Sequence, residues 1–159
     1  MTKRVVLSAL MTAVILPFPA RAQTKPDFSG TWTLDASKSD AAMGRRGGAP
    51  AASEPIVVTQ AANQLTIKRG EQSLVYKLDG SETANQMPGR GGPQEIKSKA
   101  HWEGSKLIIE TMRDFQGMSI TQKELRSLSA DGKEMIVEQS VQTPQGERTT
   151  KQVYSKETP

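Results

Sequence analysis

The sequence predicts an all-β protein, an antiparallel up-and-down meander of 8–10 strands closing into a barrel. Three observations carry that expectation. Apolar and polar residues alternate with period two from residue 28 onward, while the 3.6-residue spacing of an amphipathic helix is nearly absent. Turn signals recur at short intervals, at Gly70-Glu71-Gln72, Asp79-Gly80, Glu103-Gly104, Gln116-Gly117, Asp131-Gly132 and Pro144-Gln145-Gly146. Short connections make successive strands antiparallel neighbours, and closure of such a meander removes two edges that would otherwise pair with other chains.

The chain opens with a targeting segment. Lys3 and Arg4 form a basic start, Val5–Leu16 an apolar run, and Ala20-Arg21-Ala22 a small-residue cleavage site. The run is shorter than the roughly 20 residues needed to span a bilayer. Cleavage near Ala22/Gln23 is expected, giving a periplasmic or secreted protein of bacterial type. No cysteine follows to carry a lipid anchor, and no later segment reads as a membrane span.

The expected domain is residues 23–159. Phe28 to Leu34 is its first strand, and residues 35–55 form a long flexible loop rich in small residues, with Arg45 and Arg46 among its glycines. Strands follow at Ile56–Gln60, Gln64–Arg69, Ser73–Leu78 and Thr83–Met87. A second Gly/Pro loop at 88–93 holds Arg90, and then come Glu95–Trp102, Lys106–Met112, Ser119–Leu128, Glu134–Thr143 and Arg148–Ser155. Gly104, Leu107, Ile108 and Glu110 recur as Gly132, Met135, Ile136 and Glu138 at an offset of 28 residues, a weak strand–turn–strand repeat.

Composition narrows the functions. The chain carries a formal charge of +4, but the first 22 residues hold three basic groups and no acid. The remainder has 18 basic and 17 acidic residues, so basicity gives no support to nucleic-acid binding. With no cysteine there is neither a disulfide nor a thiolate site. The one histidine, His101, shares a strand face with Lys97, Lys99 and Glu103. That face reads as solvated, so no Ser/His/Asp triad, His-rich metal site or other catalytic set can be assembled. No cofactor is expected. The two Gly/Arg loops lack the strand-to-helix context of a phosphate cradle and read as solvated segments.

Phe28-Ser29-Gly30-Thr31-Trp32-Thr33-Leu34 places Gly-x-Trp at the start of a β meander. It resembles the first signature of lipocalins and their calycin relatives, and most of all the opening of fatty-acid-binding proteins. Val153-Tyr154-Ser155-Lys156 similarly resembles the last strand of that group. The resemblance implies a lipocalin-like barrel in which Gly30 and Trp32 are structural, Trp32 closing the base, and in which the lumen takes a small hydrophobic ligand. Two departures stand out. Residues 35–55 replace the family's two portal helices, and Gln152 sits where fatty-acid binders keep a carboxylate-binding arginine two residues before the tyrosine. An amide cannot pair a buried carboxylate as a guanidinium does.

The candidate ligand-binding residues are Tyr76, Trp102, Glu124, Arg126, Gln152 and Tyr154. Tyr76, Trp102 and Tyr154 either line a cavity or pack in the core. Ile120, Gln122, Glu124, Arg126 and Leu128 share one strand face. Facing inward, they give the lumen a paired charge and a polar handle; facing outward, the commoner arrangement, they are ordinary cross-strand surface. The expected function is a carrier or sensor, with apolar walls supplying affinity and a few polar groups orientation. The alternative is a non-catalytic envelope module with a filled barrel. A monomer is expected in either case.

Overall fold

The computed structural model describes residues 25–40, 54–89, 92–115, 118–143 and 146–158. The expected targeting segment, and Arg45, Arg46 and Arg90 of the two expected loops, lie outside them. The described chain forms ten strands: β1 (Gly30–Leu34), β2 (Ile56–Ala61), β3 (Gln64–Arg69), β4 (Gln72–Lys77), β5 (Glu82–Gly89), β6 (Gly92–Glu103), β7 (Lys106–Phe115), β8 (Met118–Leu128), β9 (Glu134–Thr143) and β10 (Gly146–Lys156).

All pairings are antiparallel, in the order β4-β3-β2-β1-β10-β9-β8-β7-β6-β5. β1 joins the two halves, with Trp32 opposite Lys156 on β10 and opposite Ile56 on β2. The sheet thus curls into a barrel that is nearly closed, its one interrupted seam lying between β4 and β5. Side chains bridge half of that seam. Asn85, 7% exposed, accepts from the Val75 N–H and donates to the Val75 carbonyl, both at 2.8 Å. Next to it, the Lys77 N–H donates to Thr83 Oγ1 at 3.2 Å. An asparagine amide both donates and accepts, as a peptide group does, so it can stand in for a missing strand backbone.

Alternation decides what faces inward. Ile96, Ser98 and Ala100 are buried on β6 while Lys97 and Lys99 are exposed. His101 lies on the expected outer face, 3.3 Å from Glu103. The core joins Phe28, Trp32, Ile56, Leu65, Leu107, Ile109 and Met135, among others. Trp32 is fully buried, and its indole N–H donates to the Phe28 carbonyl at 2.9 Å, which satisfies its one polar atom. Gly30 adopts φ 140°, a conformation that disfavours any residue with a Cβ, and an added Cβ would fall 2.7 Å from the Lys156 Cε. The repeated residues share some features, with Gly104 and Gly132 at φ 62° and 69° and Leu107 and Met135 both buried, but their turns differ: Glu103 pairs with Lys106, whereas Leu128 pairs with Met135 across a longer connection.

Two loop expectations are corrected. Residues 88–89 and 92–93 are strand, not loop, extending β5 and β6 with Pro88 opposite Pro93 and Gly89 opposite Gly92. Pro88 is tolerated because β5 is an edge strand, and Pro93 because β6 pairs with β7 only from Lys97 onward. Residues 35–40, the start of the first expected loop, are pinned along β10 where β1 has ended. Asp35 N–H donates to the Val153 carbonyl, Asp40 N–H to the Lys151 carbonyl, and the Ser39 hydroxyl accepts from Val153 N–H at 2.9 Å. The segment satisfies backbone groups that would otherwise be an open edge.

Candidate functional site

The inward positions change character along the barrel. Leu107 and Ile109 lead to Thr111 and Arg113 on β7, Leu128 to Arg126, Glu124 and Gln122 on β8, and Leu65 and Ile67 to Arg69 on β3. One part of the interior is therefore a packed apolar core, and the other encloses a cavity of about 310 Å³. Ile67, Leu74, Met87 and Val137 give that cavity apolar patches. Most of its lining is polar: Arg69, Arg113, Arg126 and Glu124 with Gln72, Gln122, Gln139 and Gln152 and the two tyrosines Tyr76 and Tyr154. The expected apolar walls are thus corrected to a mixed lining with a polar majority.

The β8 face that was open to either direction points inward. Arg126 is 8% exposed, and its Nη2 donates to Glu124 Oε2 at 2.7 Å. Gln122 donates to the other carboxylate oxygen at 2.9 Å. Burial opposes the Arg126 charge, but Glu124 and then Tyr76 outweigh it and hold the guanidinium pKa above its ordinary value. Burial, with the Glu124 carboxylate beside it, pushes the Tyr76 phenol up to about 12, while Arg126 and Arg113 pull the other way. On β10, the Tyr154 hydroxyl donates to Gln152 Oε1 at 3.0 Å and accepts from Arg69 Nη2 at 3.3 Å.

Three side-chain donors in this lining are buried without a hydrogen-bond partner: Gln72 Nε2, Arg113 Nε and Arg126 Nε. A buried polar group left unpaired costs about 1–3 kcal/mol. Three guanidiniums against the single Glu124 carboxylate leave the lining at a formal +2. Surplus donors and surplus positive charge both call for an anionic acceptor.

Five of the six sequence candidates line this cavity: Tyr76, Glu124, Arg126, Gln152 and Tyr154. Trp102 does not. It stacks on Phe28 with ring centroids 5.9 Å apart, packs against the core and has Lys25 Nζ 5.8 Å from its ring. The candidate set omitted Arg69, Arg113 and Gln72. Arg113 is reachable from sequence by following the period-two face of Leu107 and Ile109 two steps further, and Arg69 by going one step beyond Leu65 and Ile67. Among the described residues, no group of three His, Asp or Glu side chains is placed to hold a metal ion.

The fold is that of a calycin-type barrel. Its solved structural neighbours include zebrafish ileal bile acid-binding protein in complex with cholic acid, at TM-score 0.54 and 16% identity, covering 82% of this chain and 98% of that one. A REP1-NXSQ fatty acid transporter matches at TM-score 0.55 and 14% identity, covering 82% and 96%. A secretory abundant heat soluble protein from Ramazzottius varieornatus matches at TM-score 0.58 and 16% identity, covering 86% and 99%. No protein-family model and no curated protein matches the sequence. At these identities the likeness establishes the fold.

Proposed function

We propose that this chain is an exported binding protein whose barrel holds one small amphipathic molecule bearing an acidic group. The observation that carries the reading is the trio of buried unpaired donors, Gln72 Nε2, Arg113 Nε and Arg126 Nε, in a lining of formal charge +2. A carboxylate, sulfonate or phosphate supplies several acceptor lone pairs at one point and offsets the excess charge. Gln152 is no obstacle on this reading, because Arg113 and Arg126 supply the guanidiniums from β7 and β8. The bile-acid and fatty-acid proteins among the structural neighbours support a hydrophobic body on the ligand. Lys3-Arg4, the apolar run to Leu16 and the Ala20-Arg21-Ala22 site support action in the periplasm or outside the cell.

Native mass spectrometry of protein purified gently from its own host tests the binding reading. The expected result is an added mass that leaves on unfolding and ionises as an anion. A bare mass throughout, together with no binding of lipophilic acids added in excess, overturns it. Cell fractionation with N-terminal sequencing tests the address: the expected mature chain begins at Gln23, and a cytoplasmic chain retaining Met1 contradicts it.

A further inference from the structure

The interrupted seam between β4 and β5 does not run open along its whole length. Thr83 and Asn85 bridge its upper half to Lys77 and Val75. One antiparallel step further on, Ser73 comes opposite Met87, and no such bridge continues. Pro88 has no N–H to offer β4. The strands splay there, and the wedge between them is a groove of about 590 Å³. Met87, Pro88 and Pro93 give it apolar lining, and Glu71, Gln72, Ser73 and Gln86 line it as well.

This groove and the lumen meet. Gln72 and Met87 line both. Gln72 Nε2 is one of the three orphaned donors, so the junction carries a polar anchor next to an apolar wall. The lumen itself is too polar to reward a long hydrocarbon, because such a tail would lie against guanidiniums and amides. The remaining interior is filled by the Trp32–Leu107–Met135 core.

From this we infer that the ligand straddles the seam: its acidic head lies in the lumen against Arg113 and Arg126, and its apolar tail passes Gln72 and Met87 into the groove between β4 and β5. The ligand class is a monoacid with a tail longer than the lumen. The inference rests on the proposed binding of an acidic amphipath in the lumen. It adds a second subsite with a separate role, the lumen selecting charge and the groove selecting tail length.

Sodium hexanoate and sodium dodecanoate, titrated calorimetrically into the full chain and into Ser73→Trp, separate the two claims. Ser73 is exposed on β4 and lines the groove but not the lumen, so an indole there obstructs the groove. Burial of a methylene is worth about fourfold in affinity, so dodecanoate is expected to bind at least about a hundredfold tighter than hexanoate. Ser73→Trp is expected to remove about tenfold or more of the dodecanoate affinity and to leave hexanoate within about twofold. Equal effects on both acids, or none on either, overturn the straddled placement and leave lumen binding standing. Absence of binding by both acids to the unaltered chain overturns the lumen reading and this inference with it.

A second readout needs no variant. A stearate carrying a nitroxide near its tail end is expected to broaden the amide resonances of Ser73 and Gln86. Broadening centred on Leu128 and Met135 instead would put the tail in the core and overturn the inference.

Discussion

Asn85→Leu removes the side-chain bridge across the seam while keeping the volume nearly constant. Asn85 makes two 2.8 Å hydrogen bonds with Val75, one through each polar atom of its amide, in a nearly buried position. A buried hydrogen bond contributes a net of about 0.5–1.5 kcal/mol, and a part-buried N–H and C=O left unpaired add to the loss. The expected destabilisation is about 2–4 kcal/mol. With a urea m-value of about 2 kcal/mol/M, the unfolding midpoint falls by about 1–2 M. The loss is local in origin, so native-state hydrogen exchange is the decisive assay. The Val75 amide is expected to exchange at least about thirtyfold faster in the variant, equivalent to about 2 kcal/mol. Asn85→Asp keeps the acceptor for Val75 N–H but sets a carboxylate oxygen against the Val75 carbonyl, and is expected to fall in the same range. A midpoint change under about 0.25 M with unaltered Val75 exchange would refute the bridge, since the seam would then be held by packing alone.

Tyr76 gives a pH signature. Its folded pKa of about 12 exceeds the ordinary tyrosine value, so its contribution is fully present below pH 10 and is lost as pH rises towards 12. Two units correspond to about 2–3 kcal/mol, and Tyr76→Phe is expected to abolish that part of the alkaline loss in chemical melts at pH 8 and pH 11. An identical pH dependence in the variant contradicts the assignment. Trp32→Ala removes a wholly buried indole and its 2.9 Å bond to the Phe28 carbonyl, and a urea melt is expected to show a loss of about 3–5 kcal/mol. Arg126→Met leaves Glu124 without its cation and is expected to cost about 3–5 kcal/mol, most of which Glu124→Gln restores in the double variant. Additive losses in that cycle would contradict a mutually dependent pair.

Much of the barrel is legible in the sequence because its signals are local. Gly80, Gly104 and Gly132 each take positive φ at a tight turn, and Asp79 and Asp131 accept N–H bonds within those turns from Ser81 and Lys133. Gln64–Arg69 and Glu134–Thr143 match the expected strands to the residue, with Gly70 at φ 55° following the first and Gly132 at φ 69° preceding the second. Pro88 and Gly89 misled, since composition alone does not say that an edge strand will tolerate them. The site is less legible for a different reason. Alternation assigns Glu124 and Arg126 to one face but not that face to a side of the sheet; closure decides it, through pairings such as Glu124 opposite Ile109 and Gln139. The seam is hidden for another reason: Asp79-Gly80 reads as an ordinary hairpin turn, and only the pairing order shows β4 and β5 as the two ends of the sheet, with Asn85 bonding Val75 ten residues away across that turn.

On the proposed function, the lumen selects an acid. Calorimetric titration of dodecanoate, dodecanol and dodecyltrimethylammonium into the same protein tests it directly, since the three carry nearly the same tail on an anionic, a neutral and a cationic head. The acid is expected to bind at least about tenfold tighter than the alcohol, the cation not to bind, and Arg113→Met to remove most of the difference between acid and alcohol. Equal affinity for all three, or preference for the cation, would contradict it.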